Sequence, residues 1–294
     1  MVRPWYPCAW TLLALVGLIV GIPSCARVPL APPAPEVQPA VRVSSEAVIR
    51  FDERSEFERV LVVDQEGYRY LRFGGPNGDD QTMVSLGDPS AVPMDYIQLA
   101  SLGLALAPSV SRVLAIGLGG GAFPTLVRRA VPEATVDGVE LDPVVAQVAQ
   151  EFFGLTPDPY LNVIIEDGAL FVQGDHHPYD VIFLDAYTAG GIPEDLSTVE
   201  FFTHVARLLT PGGAVVLNVS LEGDSEKKVR GRFREVFGDV GCIRTHDDLN
   251  LVLFASPGLT PGRLVSRARR FTRGRVLPYD LILHARRLTA PCDS

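Results

Sequence analysis

A chain of 294 residues, 47% hydrophobic and 21% charged, has room for a sizeable core and the composition of a globular protein. Its net charge of −9 argues against a nucleic-acid partner, since nothing here supplies the counterion-release term of phosphate binding. The four cysteines, Cys8, Cys25, Cys242 and Cys292, have no CxxC spacing, and there is neither an HExxH nor a histidine cluster, so no metal site is expected and the role of Cys242 and Cys292 stays open.

At the N-terminus Arg3 precedes an uncharged apolar run over residues 9–22, of signal-peptide length and short for a membrane span. The run ends in Ile22-Pro23-Ser24-Cys25, which resembles the lipobox of bacterial lipoproteins. That resemblance implies residues 1–25 as a signal, lipidation at Cys25, and an exported protein anchored to a membrane by lipid. Residues 26–42, rich in Pro and Ala, read as an extended tether.

Residues 43–90 form a small antiparallel β unit, too short to stand alone. Residues 59–64 and 68–73 alternate in polarity around a turn at Gln65-Glu66-Gly67, and residues 81–86 supply one more strand. One helix follows over residues 92–107, with Met94, Ile97, Leu99, Leu102, Leu104 and Leu106 apolar and Pro108 closing it.

The centre of the chain is residues 112–142. Val113-Leu114-Ala115-Ile116 has the pattern of a buried parallel strand; Gly117, Gly119, Gly120 and Gly121 follow, then a helical pattern, then a second strand ending in Glu140. Glycines between strand and helix let the backbone turn sharply and let a ligand lie on main-chain N–H groups. A carboxylate about twenty residues on, at the next strand's tip, can accept from both ribose hydroxyls, the spacing of a nucleoside-binding fingerprint. Further strands are expected over residues 161–165, 179–184 and 214–219, with helices from Pro143, over residues 198–209 and over 225–237, and Pro211-Gly212-Gly213 as a turn. Alternation of strands and helices over residues 91–256 predicts an α/β fold, a doubly wound, mostly parallel sheet with ligands at the C-terminal strand ends, where Glu140, Asp167 and Asp185 fall. Two last strands, residues 242–246 and 251–255, fit an antiparallel edge. Residues 257–294 are basic and partly helical and read as a surface-packed tail.

On VLAIGLGGGAF, VELDP, EDGALF, YDVIFLDAY and the following GIPEDLSTVEFF, the chain resembles the spermidine synthase family over roughly residues 56–255. The resemblance implies an S-adenosylmethionine methyltransferase-like Rossmann fold preceded by a β unit. It implies S-adenosylmethionine or its decarboxylated form as co-substrate, bound by Gly117, Gly119 and Gly121, by Glu140 on the ribose, and by Asp167 and Ala169 on the adenine. Asp185 would be the general base that takes a proton from an attacking amine, with Gln81, Tyr96 and Tyr187 toward a small-molecule acceptor; family members often form homodimers. Three polar anchors of the family are missing. Gly120 stands where the family has an aspartate for the donor's ammonium, Asp185-Ala-Tyr-Thr lacks the family's second acid, and Tyr96-Ile-Gln98-Leu-Ala-Ser101 keeps only the tyrosine of its helix. The expected function is therefore transfer of an aminopropyl group to an amine, with methyl transfer on the same scaffold and a non-catalytic, membrane-tethered nucleoside binder as alternatives.

Overall fold

The computed structural model describes residues 47–292 except 77, 189–190 and 222–224. The lipobox-like Cys25 and the tether lie outside the described residues. The apolar runs become a seven-stranded sheet in which β5 (Arg112–Ile116), β6 (Thr135–Glu140), β7 (Leu161–Ile165), β8 (Tyr179–Leu184) and β9 (Leu209–Ser220) are parallel. β10 (Val240–Arg244) and β11 (Asn250–Ala255) complete it as an antiparallel pair, giving the order β10-β11-β9-β8-β5-β6-β7. All six residues of β8 are buried, as expected for a strand covered on both faces. Alternate residues feed two cores: Val113, Ala115, Val181 and Phe183 point to one, Leu114, Ile116, Ile182 and Leu184 to the other. The order reverses between β5 and β8, so the crevice of a doubly wound sheet opens there.

The N-terminal β unit is a four-stranded antiparallel meander of β1 (Val48–Arg54), β2 (Arg59–Gln65), β3 (Tyr68–Phe73) and β4 (Asp80–Ser85). It rests on α4 (Pro143–Phe152), with Val60, Val62, Leu71 and Phe73 packed on Val145, Val148 and Phe153. β1 carried no sequence signal because only Phe51 along it is half-buried. Beyond the meander, the expected single helix over residues 92–107 is two: α1 (Asp95–Ala100) and α2 (Leu102–Leu106). The break falls at Ser101, whose hydroxyl donates to the Gln98 carbonyl at 2.6 Å and competes with the helical ladder. β9 also starts earlier than expected, at Leu209. Its Pro211-Gly212-Gly213 forms a bulge, since the register passes from Tyr179 opposite Leu209 to Val181 opposite Ala214.

The C-terminal segment is more than a surface tail. α8 (Pro261–Phe271) and α9 (Leu281–Ala285) insert Leu264, Ala268, Phe271, Leu281 and Ala285 into the same core as β5. Thr289 and Cys292 then pair with the backbone of β10, and Cys292 forms a disulfide with Cys242, which covers an otherwise open sheet edge.

Candidate functional site

Four segments meet at the crevice: the glycine loop after β5, the tips of β6 and β7, the end of β8, and the β4–α1 region lying across them. They enclose a cavity of about 910 Å³. Gly117 and Asp185 begin the two loops that diverge at the switch point, and the Asp185 N–H donates to the Ile116 carbonyl at 2.8 Å. Gly117 has φ +86°, and a Cβ there would lie 2.3 Å from the Asp185 carbonyl oxygen. The position needs glycine for conformation and for space.

Glu140 ends β6 under the glycine loop. Its carboxylate accepts from Leu118 N at 3.0 Å, Gly119 N at 3.4 Å and Asp142 N at 3.1 Å. Burial pushes its pKa up and these N–H groups pull against that. The acid is thus held in the cavity lining beneath the glycine loop. Asp167 lines the cavity as expected, but one of its oxygens caps the short α5 (Gly168–Phe171), accepting from Ala169 N at 2.7 Å and Leu170 N at 3.3 Å. Ala169 does not line the cavity, and its N–H donates to this cap. Gly121 does not line it either: it takes φ +74° at the start of α3 (Ala122–Ala130), packed against Leu155. Gly117 and Gly119 do line it.

At the end of β8, Asp185 accepts from Asn218 Nδ2 at 2.9 Å, and the Tyr96 hydroxyl is a second donor that favours its ionised form. Burial raises its pKa to about 7, and the two donors hold it from rising further. Tyr96 is buried in α1, and its hydroxyl donates to the Gln81 carbonyl at 3.4 Å; burial and then the Asp185 charge push its own pKa well up. Gln81 and Tyr187 also line the cavity. The Tyr187 hydroxyl is taken up by the end of β9, donating to Asn218 O at 2.9 Å and accepting from Ser220 N at 2.6 Å, so what it offers is its ring.

Two residues that sequence reasoning missed shape the site. Asn218 is the one amide inside the apolar run of β9, a signal that was visible and went unread. Thr82, on β4, accepts from Gly120 N at 2.8 Å and lies over it, so a Cβ at residue 120 would be 2.6 Å from Thr82 Cγ2. Glycine at 120 and threonine at 82 are therefore matched, and a carboxylate-bearing residue does not fit at 120 beside this threonine. Among the described residues the cavity is lined by Asp79, Asp95, Glu140, Glu166, Asp167 and Asp185, with other carboxylates, and by no lysine or arginine.

Residues 97–240 match the model of the spermine/spermidine synthase domain. The chain is 30% identical over 199 residues to the polyamine aminopropyltransferase of Vibrio vulnificus, an alignment covering 66% of this chain and 67% of that one. Among solved structures, spermidine synthase from Thermotoga maritima superposes with a TM-score of 0.66 at 20% identity, over 82% of this chain and 84% of that one, which is a likeness of fold. Human methyltransferase-like protein 13, solved in complex with SAH, superposes with a TM-score of 0.57 at 26% identity, over 64% of this chain and 96% of that one. The Rossmann core with its antiparallel meander, the domain match and the extent of that bacterial identity lead to one assignment: the chain belongs to the spermine/spermidine synthase family.

Proposed function

We propose that this protein is a transferase that binds an adenosyl sulfonium and moves its aminopropyl group to an amine. Charge carries the reading. A sulfonium and an ammonium both lose hydration on entering such a cavity, and carboxylates with tyrosine rings replace it where no lysine or arginine is in the lining. Glu140 beneath the glycine loop and the open backbone at Gly117 and Gly119 suit the nucleoside end of the donor. Asp185 suits the transfer: with a pKa near 7 it takes the proton of the acceptor ammonium at neutral pH. That frees the nitrogen lone pair to form the C–N bond as the C–S bond breaks and its pair returns to sulfur, leaving a neutral thioether. Tyr96 and Asn218 hold the base in line, so alignment supplies the rest of the acceleration.

Methyl transfer is the second reading, favoured by the Gly120–Thr82 contact, which leaves no carboxylate at 120 to select an ammonium over a carboxylate on the donor. Calorimetric titration of the full chain with S-adenosylmethionine, its decarboxylated form and methylthioadenosine separates them. Aminopropyl transfer requires the decarboxylated donor to bind more tightly; preference for the carboxylated donor makes it a methyltransferase. Failure to bind any of the three sinks both transferase readings and leaves a scaffold that kept the fold and lost the chemistry. The Cys242–Cys292 disulfide also supports the reading of Cys25 as a lipid-bearing residue of an exported protein, because such bonds persist in oxidising compartments.

A further inference from the structure

α1 presents different faces to two parts of the molecule. Tyr96 lines the cavity together with Asp185, and its hydroxyl donates to the Gln81 carbonyl of β4 at 3.4 Å. Asp95, which also lines the cavity, Gln98 and Ser101, three apart and so on one side of the helix, are bonded to the far end of the chain. Arg287 Nη1 lies 3.5 Å from Asp95 Oδ2, His284 Nε2 is 2.9 Å from Gln98 Oε1, and the Tyr279 hydroxyl donates to Ser101 Oγ at 2.8 Å. The Gln98 amide is oriented by its donation to the Val92 carbonyl at 2.6 Å. Its oxygen therefore faces His284, whose Nε2 must carry the proton while Nδ1, 3.4 Å from Arg287 Nη1, accepts. Burial, the largest influence on His284, lowers its pKa and agrees with this neutral form. Gln98 and Ser101, two departures from the family pattern, are thus the residues this C-terminal segment grips.

α1 does little to hold itself. It has six residues and no side-chain N-cap, too short and too poorly capped to be stable alone. The segment that grips it is itself held to β10 by Arg287 donating to the Arg244 carbonyl, by two backbone bonds between Thr289 and Cys242, and by the Cys242–Cys292 disulfide.

We infer that the segment from Tyr279 to Cys292, clamped by its disulfide, positions α1 so that the Tyr96 hydroxyl stays beside Asp185 in the cavity, and that turnover depends on this clamp. His284 and Arg287 are positioning residues: they act on the base through α1. The inference rests on the transferase reading above for turnover, though not for the placement of Tyr96. The groups that face Asp185 are Tyr96 from α1, Tyr187 from its own loop and Asn218 from β9. Of these only Tyr96 rides on an element held by the C-terminal segment.

The test uses the full chain with the disulfide closed, opened by dithiothreitol, or removed as Cys292→Ser, and reads kcat, donor KM and the titration of Asp185 by carboxyl carbon NMR. Opening the clamp should lower kcat about tenfold, the scale of a sub-ångström misplacement, and leave donor KM unchanged, since Glu140 and Asp167 sit at the tips of β6 and β7. The Asp185 pKa should rise further, because a donor that favours its ionised form is lost. Where opening the disulfide unfolds the chain, His284→Ala keeps it closed and should reproduce both effects, and His284→Gln, which retains an N–H toward Gln98, should restore them. In a Tyr96→Phe background, opening the clamp should do nothing more. Unchanged kcat and Asp185 titration in the opened or His284→Ala protein would overturn the inference, as would full additivity with Tyr96→Phe. If no donor and amine turn over in any form, the transferase reading fails, and the Asp185 titration still decides whether the clamp places Tyr96.

Discussion

Asp137 on β6, Asp180 on β8 and Asp185 just past the end of β8 belong to one sheet, and of the three only Asp185 lines the cavity. Asp137 accepts from Arg112, Tyr179 and Asn162, and Asp180 from Ser111 N, Arg112 N and Thr210; each is a saturated structural acid near the starts of the strands. Asp185 has an amide as its hydrogen-bond partner, a phenol beside it and no cation, and it opens on the cavity. We expect Asp185→Asn to lower kcat by about 10²- to 10⁴-fold while donor affinity by calorimetry is kept; loss of affinity would make it a pocket residue rather than a base. In the unsubstituted chain, kcat should rise with pH and level off above about 7. The same shift sets a stability signature. A folded pKa above the ordinary 3.8 means the folded state binds the proton more tightly than the unfolded, so ionising Asp185 costs stability. That cost is full above about pH 7 and fades as pH falls toward 3.8. Asp185→Asn should therefore raise Tm at pH 8 by roughly 2–4 °C and leave it unchanged near pH 4, an activity-for-stability exchange common at catalytic sites.

Elements with a strong period were legible, and elements defined by distant partners were not. The βα alternation from β5 through β9 follows from buried runs and helical spacing, and with it came Gly117, Glu140, Asp167 and Asp185 at the strand ends. β1 has no inward face to show, and α1 and α2 merged in the sequence because the hydroxyl that parts them looks like any other serine. α9 was illegible for a different reason: its five residues matter through Gln98, 186 positions away from His284, a separation no local pattern encodes. The disulfide escaped for the same reason, with no motif marking a bridge across a separation of 50 residues. Its contribution can be measured directly. Closing a loop of that size restricts the unfolded chain by an amount worth about 4 kcal/mol. We expect Cys292→Ser to lower the urea unfolding free energy by about 2–4 kcal/mol, with the seven-stranded core intact by circular dichroism. A change well under 1 kcal/mol would mean the C-terminal segment is held by Leu281, Ala285 and Leu288 in the core and needs no covalent tie.

For the whole molecule, the two kinds of cysteine make one connected prediction about where it works. Cys242 and Cys292 are joined, a state that a reducing cytosol opposes and an oxidising compartment preserves. Cys25 follows an apolar run of signal length, so a lipid there would hold the folded unit, through the Pro- and Ala-rich tether, at a membrane surface. No helix among the described residues is long and apolar enough to cross a membrane, and none is needed if the anchor is a lipid. If both readings hold, the wild-type chain fractionates with membranes, Cys25→Ser releases it to the soluble fraction, and alkylation of the denatured protein finds Cys242 and Cys292 blocked until a reductant is added. Removing residues 1–25 should keep the chain in the cytosol, where both thiols would alkylate at once and, by the clamp described above, turnover would be weaker than in the exported form. A wild-type chain that is soluble with both thiols reactive would sink the export reading. The adenosyl-donor cavity would then be serving cytosolic chemistry, with the clamp open as its ordinary state.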